Sequence, residues 1–191
     1  MHITVYSASS GLVPAVYLEA ARELGGLLAK KGHALVNGAG RTGLMGAVAD
    51  ACLAAGGEAI GVIPRFMVEQ NWQHQGMSRL IVTDSMHSRK ETMAELSGAC
   101  IALPGGVGTL EELLEVITWK QLGLYLKPIV LLNVEGYFDS LLQQLERAVS
   151  ERFMRERHLD IWKVASTPEE AVLLCETTPV WTQEVRKYAA M

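Results

Sequence analysis

Six short apolar runs rich in β-branched residues recur along the chain, each followed by a longer segment of helical period. They are "ITVYSA" (3–8), "ALVNG" (34–38), "AIGVIP" (59–64), "LIVTDS" (80–85), "ACIALPG" (99–105) and "PIVLLNV" (128–134). A strand covered on both faces reads as a continuous apolar run, and parallel neighbours need a crossover that a helix supplies. The intervening segments 14–31, 44–55, 88–96, 109–124 and 138–155 carry that helical period. "DIWKVAS" offers a last edge strand, and "TPEEAV" opens a last helix. The rhythm predicts a doubly wound, Rossmann-like α/β fold, a mostly parallel sheet flanked by helices, as one domain over 1–191. Two stretches break the pattern: a polar insertion at 65–79, of the kind that forms a lid or contact surface, and the tail "WTQEVRKYAAM", which suits either an extra helix or a frayed end.

Composition removes several classes of function. With 49% hydrophobic and 20% charged residues in 191, the chain can bury one substantial core. A formal net charge of -4 gives no basic footprint for nucleic acid. No uncharged apolar run reaches the roughly 18 residues that a membrane span needs, and the start "MHITVYSASSG" lacks a basic region followed by an apolar one. Cys52, Cys100 and Cys175 sit in apolar stretches without metal-ligand spacing, which suits buried thiols in a reducing, cytoplasmic setting. No metal or cofactor is expected.

In open α/β sheets, ligands lie beyond the carboxyl ends of the strands, and two glycine-rich loops fall there. "NGAGRTGLMG" (37–46) satisfies G-x-G-x-x-G, but the next strand ends "GVIPRF" without the acid a dinucleotide ribose requires, and no Lys-Ser/Thr follows as in a P-loop. It reads either as a tight strand-to-helix turn or as an anion site served by backbone N–H groups, Arg41 and Thr42. "ALPGGVGTLEE" (102–112) strips side chains from the start of an amphipathic helix, where N–H groups are unpaired and the helix dipole is positive. The same letters also spell a capping box, with Thr109 capping and Glu112 reaching back. With "SASSG" after the first strand, the two loops look like one cradle for one anionic ligand. "DSMHSRKETM" (84–93) adds His87, Arg89 and Lys90 at this edge, either as a solvated basic first turn or as site residues.

Together, "NGAGRTGLMG", "MHSRKETM", "LPGGVGTLEELLEVITWKQLG" and "KPIVLLNVEGYFDSLL" resemble the LONELY GUY family of cytokinin riboside 5'-monophosphate phosphoribohydrolases, also called lysine decarboxylase-like. The similarity runs from Ile3 to Pro179, and its most specific element is P-G-G-x-G-T-x-x-E at Pro104 to Glu112. The resemblance implies hydrolysis of the N-glycosidic bond of N6-modified or plain adenosine 5'-monophosphate to free base and ribose 5-phosphate. It implies Arg89 and Glu112 as the catalytic pair and Gly106, Gly108 and Thr109 as the phosphate cradle. Gly40, Met86, Lys90, Pro104, Gly105 and Val107 join them as substrate-binding positions, and the family implies a homodimer or larger homo-oligomer.

The chain departs from the family at Ser7 and Ala8, where C-G is common, at Ala39, where a third glycine is common, and at 97–100, where "SGAC" stands for A-D-A-F. These changes place methyl groups of Ala8 and Ala39 near the ligand and remove a carboxylate and an aromatic ring from beside the base pocket. A carboxylate under the sugar suits an oxocarbenium-like transition state; no general acid for the leaving base is assigned. The alternative function is a nucleotide or molybdenum-cofactor carrier of the same fold, which would need the glycine loops but not the Arg89–Glu112 pair.

Overall fold

The computed structural model describes residues 1–188. Along the chain run β1 (His2–Tyr6), α1 (Ala15–Lys30), β2 (Ala34–Asn37), α2 (Gly43–Ala54), β3 (Ala59–Pro64), α3 (Arg65–Glu69) and β4 (Arg79–Thr83). There follow α4 (Met86–Leu96), β5 (Ala99–Ala102), α5 (Val107–Gln121), β6 (Ile129–Leu132), α6 (Asp139–Ser150), β7 (Lys163–Ala165) and α7 (Pro168–Thr177). All seven strands pair in parallel in the order β4-β3-β2-β1-β5-β6-β7. This is the predicted doubly wound sheet, and its order reverses between β1 and β5. Loops leaving those two strands part to opposite faces and open a crevice at their carboxyl ends.

Period-two alternation divides the core into two layers. Ile3 and Val5 of β1 pack with Leu24, Leu28 and Val48 on one face, while Tyr6 joins Met93, Leu113 and Val116 on the other. On that second face, the Thr4 hydroxyl donates to Met93 O of α4 at 3.1 Å. Only the two edge strands leave large apolar side chains exposed to solvent, Leu80 and Val82 on β4 and Val164 on β7. No helix among the described residues is long and apolar enough to cross a membrane.

Helix boundaries shift where capping chemistry overrides the apolar period. α4 starts at Met86, earlier than expected, because Ser85 and Ser88 cap it reciprocally. α7 starts as "TPEEAV" predicts, with the Thr167 hydroxyl accepting from Glu170 N at 3.2 Å. The segment expected to be helical over 138–155 stops at Ser150, and Arg152 turns into the left-handed region at φ +67° before a 3-10 segment over Glu156–Ile161. In the insertion, α3 and a turn replace the expected irregular loop. The tail forms a 3-10 segment over Gln183–Tyr188, and its last residues, 189–191, lie outside the described residues.

Candidate active site

A cleft of about 680 Å³ occupies the crevice. One wall is Ser7–Ser10 after β1 with Gly38, Gly40, Arg41 and Thr42 after β2; opposite lie Gly106, Gly108, Thr109, Glu111 and Glu112 of the β5–α5 turn. Met86 and Arg89 of α4 form part of its lining, as do Ile63, Met67 and Trp72 from β3 and the insertion.

Arg89 and Glu112 meet across this cleft. Both are nearly inaccessible, 5% and 7% exposed, and Arg89 Nη2 stands 3.6 Å from Glu112 Oε1, a charge contact rather than a tight hydrogen bond. Arg89 is aimed by its Nε, which donates to Val62 O of β3 at 3.1 Å. It fits only because residue 38 is glycine: a Cβ there would overlap the guanidinium. Burial pushes the Glu112 carboxyl up from its ordinary 4.5 to about 7, against the opposing pull of Arg89. A carboxyl poised there can hold or release a proton near neutral pH.

The capping reading of Thr109 and Glu112 does not hold. α5 begins two residues earlier than expected, with Gly106 at the N-cap and no side-chain cap. Thr109 therefore lies in the first turn, packed where a Gly105 Cβ would fall, and Glu112 in the second turn faces Arg89 instead of the helix end. Leu110 N is the first amide of α5 to bond within the helix, to Gly106 O at 3.0 Å, so Val107, Gly108 and Thr109 have no intrahelical acceptor. α2 is different. Its Met45 N–H donates to Ala8 O at 3.1 Å, and the Thr42 hydroxyl donates to Ser9 O at 2.8 Å, so much of that helix start ties the two loops together.

Of the positions the family pattern singles out, Gly40, Met86, Arg89, Gly106, Gly108, Thr109 and Glu112 line the cleft. Pro104 and Gly105 are buried in the turn behind it, and Val107 points outward at 84% exposure. Lys90 is buried too but does not line the cleft; it forms ion pairs with Glu111, which does, and with Glu115 (3.0 Å). Burial works to lower its pKa, and the hydrogen bonds and charges of the two carboxylates outweigh that and raise it. The "solvated basic turn" is therefore wrong for Arg89 and Lys90, though His87 is exposed.

Two expected departures at the ligand also move away from it. Ala39 adopts φ +59° with its methyl turned onto β3, where Gly61 leaves room, and it does not line the cleft. Ser97 bonds to Met93 O and Ala94 O, and Gly98 N bonds to His2 O, at the opposite, amino-terminal edge of the sheet. None of the four "SGAC" residues lines the cleft, nor does Ala39; Ala8 does.

What the sequence concealed is the wall from the insertion. Trp72, half-exposed, and Met67 reach the cleft because the following residues are strapped to the first glycine loop. Gln73 bridges Gly40, His74 N donates to Ala39 O at 2.7 Å, and the His74 ring pairs with Asp50 of α2 at 2.8 Å. Apolar residues inside the insertion, Phe66, Met67, Val68, Trp72 and Met77, were the available signal. The "SASSG" stretch lines the cleft from Ser7 to Ser10, as its place in the cradle predicts, and the buried Ser7 hydroxyl finds no protein partner among the described residues.

Comparison with known proteins places this geometry. The family model described as "Possible lysine decarboxylase" matches residues 45–175. The cytokinin riboside 5'-monophosphate phosphoribohydrolase LOG of Oryza sativa subsp. japonica is 45% identical over 174 residues, 91% of this chain and 72% of that protein. The corresponding LOG3 of Arabidopsis thaliana is 44% identical over 170 residues, 89% of this chain and 79% of that protein. Among solved structures, a molybdenum cofactor binding protein from Rippkaea orientalis superposes with a TM-score of 0.70 over 92% of this chain and 95% of its own, at 24% identity, a likeness of fold. At that level of identity to the plant proteins over nearly all of its length, the chain belongs to the family of LOG cytokinin riboside 5'-monophosphate phosphoribohydrolases.

Proposed function

We propose that this protein hydrolyses the N-glycosidic bond of adenosine 5'-monophosphates, plain or N6-modified, to give the free base and ribose 5-phosphate. The observation that carries the reading is the buried Arg89–Glu112 pair, 3.6 Å apart, beside the uncapped start of α5. In the reaction, the bond from C1' to the base nitrogen breaks with its electrons passing to the base. Water supplies hydroxide to C1' and a proton to the leaving base, so atoms balance. Positive charge grows on the ribose ring in between. Glu112, in its ionised form, stabilises that charge and takes the proton from the attacking water. Arg89 holds Glu112 partly ionised against the burial that favours its neutral form, and its free edge binds nucleotide oxygens. Gly106, Gly108 and Thr109 cradle the phosphate on the amides of α5, with Gly40 and Met86 along the nucleotide. Pro104, Gly105 and Val107 shape that turn, and Lys90 braces α4 against α5 through Glu111 and Glu115.

The decarboxylase description fits the residues poorly. Pyridoxal phosphate needs a lysine in the cleft to hold it as a Schiff base, and no lysine lines the cleft among the described residues. Lys90 is ion-paired, and Lys120 donates to Lys127 O at 2.9 Å. A carrier role would leave the Arg89–Glu112 pair without a purpose. A homodimer or larger assembly in the cytoplasm completes the proposal: Val107, Leu114, Leu122 and Leu124, along and just after α5, expose apolar surface that an interface would cover, and the three free cysteines are buried.

A panel assay tests the central reading. The protein is incubated with AMP, an N6-substituted AMP, other nucleoside monophosphates and the matching nucleosides, and free base and ribose 5-phosphate are quantified. Adenosine monophosphates are expected to be cleaved and adenosine not, because phosphate binding is used at the reacting bond. Equal turnover of AMP and adenosine, or none of any monophosphate, would overturn it.

A further inference from the structure

The geometry points to Tyr137 as a positioning residue that locks the phosphate-binding turn from outside the cleft, an inference that rests on the proposed nucleotide site. Tyr137 follows the 3-10 turn Val134–Gly136 after β6 and does not itself line the cleft. Its hydroxyl donates to Gly105 O at 2.6 Å. The ring is clamped edge-on between Tyr17 of α1, with centroids 5.6 Å apart, and Phe138, at 5.2 Å. The backbone below is fixed as well, since Phe138 N donates to Asn133 Oδ1 at 2.7 Å and Asn133 Nδ2 to Asp139 Oδ1 at 2.8 Å. The hydroxyl is thus presented to Gly105 by a rigid mount.

That contact matters because of what the 105–106 peptide is. In a trans peptide the carbonyl of one residue and the N–H of the next point in opposite directions. Holding Gly105 O toward Tyr137, away from the cleft, turns the Gly106 N–H toward it, at the residue that caps α5 and lines the cavity. A Gly-Gly peptide has little steric resistance to rotating the other way, and a rotated peptide would present a carbonyl oxygen to the phosphate. Thr109 fills the space beside the Gly105 Cα from within the cleft, and Tyr137 restrains the carbonyl from the other side. Tyr137 therefore pre-organises the turn for an anion, which lowers the cost of ordering it on binding.

The test is Tyr137→Phe, which keeps the ring and removes the hydroxyl. Binding of ribose 5-phosphate and of adenine is measured by calorimetry on both proteins, together with KM and kcat for AMP. The dissociation constant for ribose 5-phosphate and the KM for AMP are expected to rise about 3- to 10-fold, the worth of one hydrogen bond. kcat should stay within about twofold, because the lost binding is common to ground and transition states, and adenine affinity should not change. The Gly106 amide signal in a nitrogen-correlated NMR spectrum of the ligand-free variant should shift or broaden. An unchanged ribose 5-phosphate affinity overturns the proposal, as does an equal loss for adenine, which would indicate general disorder of the cleft, or a wild-type protein that binds no ribose 5-phosphate. A wild-type protein that binds ribose 5-phosphate yet cleaves no monophosphate would remove the hydrolase reading alone, and the two affinities would still decide the role of Tyr137.

Discussion

Replacing Glu112 by Gln should make the protein more stable and nearly inactive, and the stability gain should depend on pH in a defined direction. Burial raises the carboxyl from 4.5 to about 7, so between those values the folded protein binds a proton that the unfolded chain has released. Stability contributed by the protonated acid is then lost as pH rises through that window, and above about 7 the fold carries the cost of an ionised, buried carboxylate. The shift corresponds to a ceiling of about 3 kcal/mol. Glutamine resembles the protonated acid and carries no such cost. Urea denaturation should therefore find Glu112→Gln and wild type close in stability at pH 4.5, with the variant ahead by about 2–3 kcal/mol at pH 8. Turnover of AMP should meanwhile fall by roughly 10²- to 10⁴-fold. A capping glutamate would behave in the opposite way, costing up to about 1 kcal/mol at every pH on substitution. A difference that stays flat with pH, or a variant less stable at pH 8, would refute the burial argument.

Gly38→Ala should displace the Arg89 guanidinium and lower turnover by about 10²-fold or more, with only a modest fall in melting temperature; a variant with normal activity would show that Arg89 need not sit where it does. The pH profile of kcat/KM should carry a rising limb with an apparent pKa near 7, the value for Glu112 in the free protein, and this limb should vanish from the residual activity of Glu112→Gln. Trp72→Ala should change the ratio of kcat/KM between N6-substituted and plain AMP by about 10-fold, the scale of lost apolar contact in a pocket, and an unchanged ratio would place the base elsewhere.

The fold was legible because strands covered on both faces carry few polar positions to blur them: β1, β2, β3, β5 and β6 all emerge from runs that are apolar but for His2, Thr4 and Asn37. The pairing of Arg89 with Glu112 was legible only through the family resemblance. Periodicity alone left both residues in first turns, where dipole and capping arguments gave them solvent-facing or structural duties. That failed because three glycines let the chain enter α5 at Gly106, ahead of the threonine, which turned Glu112 inward by position along the helix. The wall at Trp72 was hidden for a different reason. It depends on the His74–Asp50 pair and the Gln73–Gly40 bridge, contacts between segments far apart in the chain that no local pattern encodes.

The position of β1 in the sheet has a consequence for the order in which the molecule is built. Its neighbours are β2 on one side and β5 on the other, and the register sets Ile3 beside Ala99 and Tyr6 beside Ala102. On the ribosome, the half-sheet from β1 to β4 is complete while the second flank of β1 is still bare, and long-range parallel pairing is slow to close. Arg89 is already present in that nascent half, but Glu112 arrives only with the strand and helix that seal it. The Arg89–Glu112 pair can therefore form only after β5 and α5 dock, and until then the flank of β1 that β5 covers is an open apolar edge that a chaperone or an aggregating neighbour could meet.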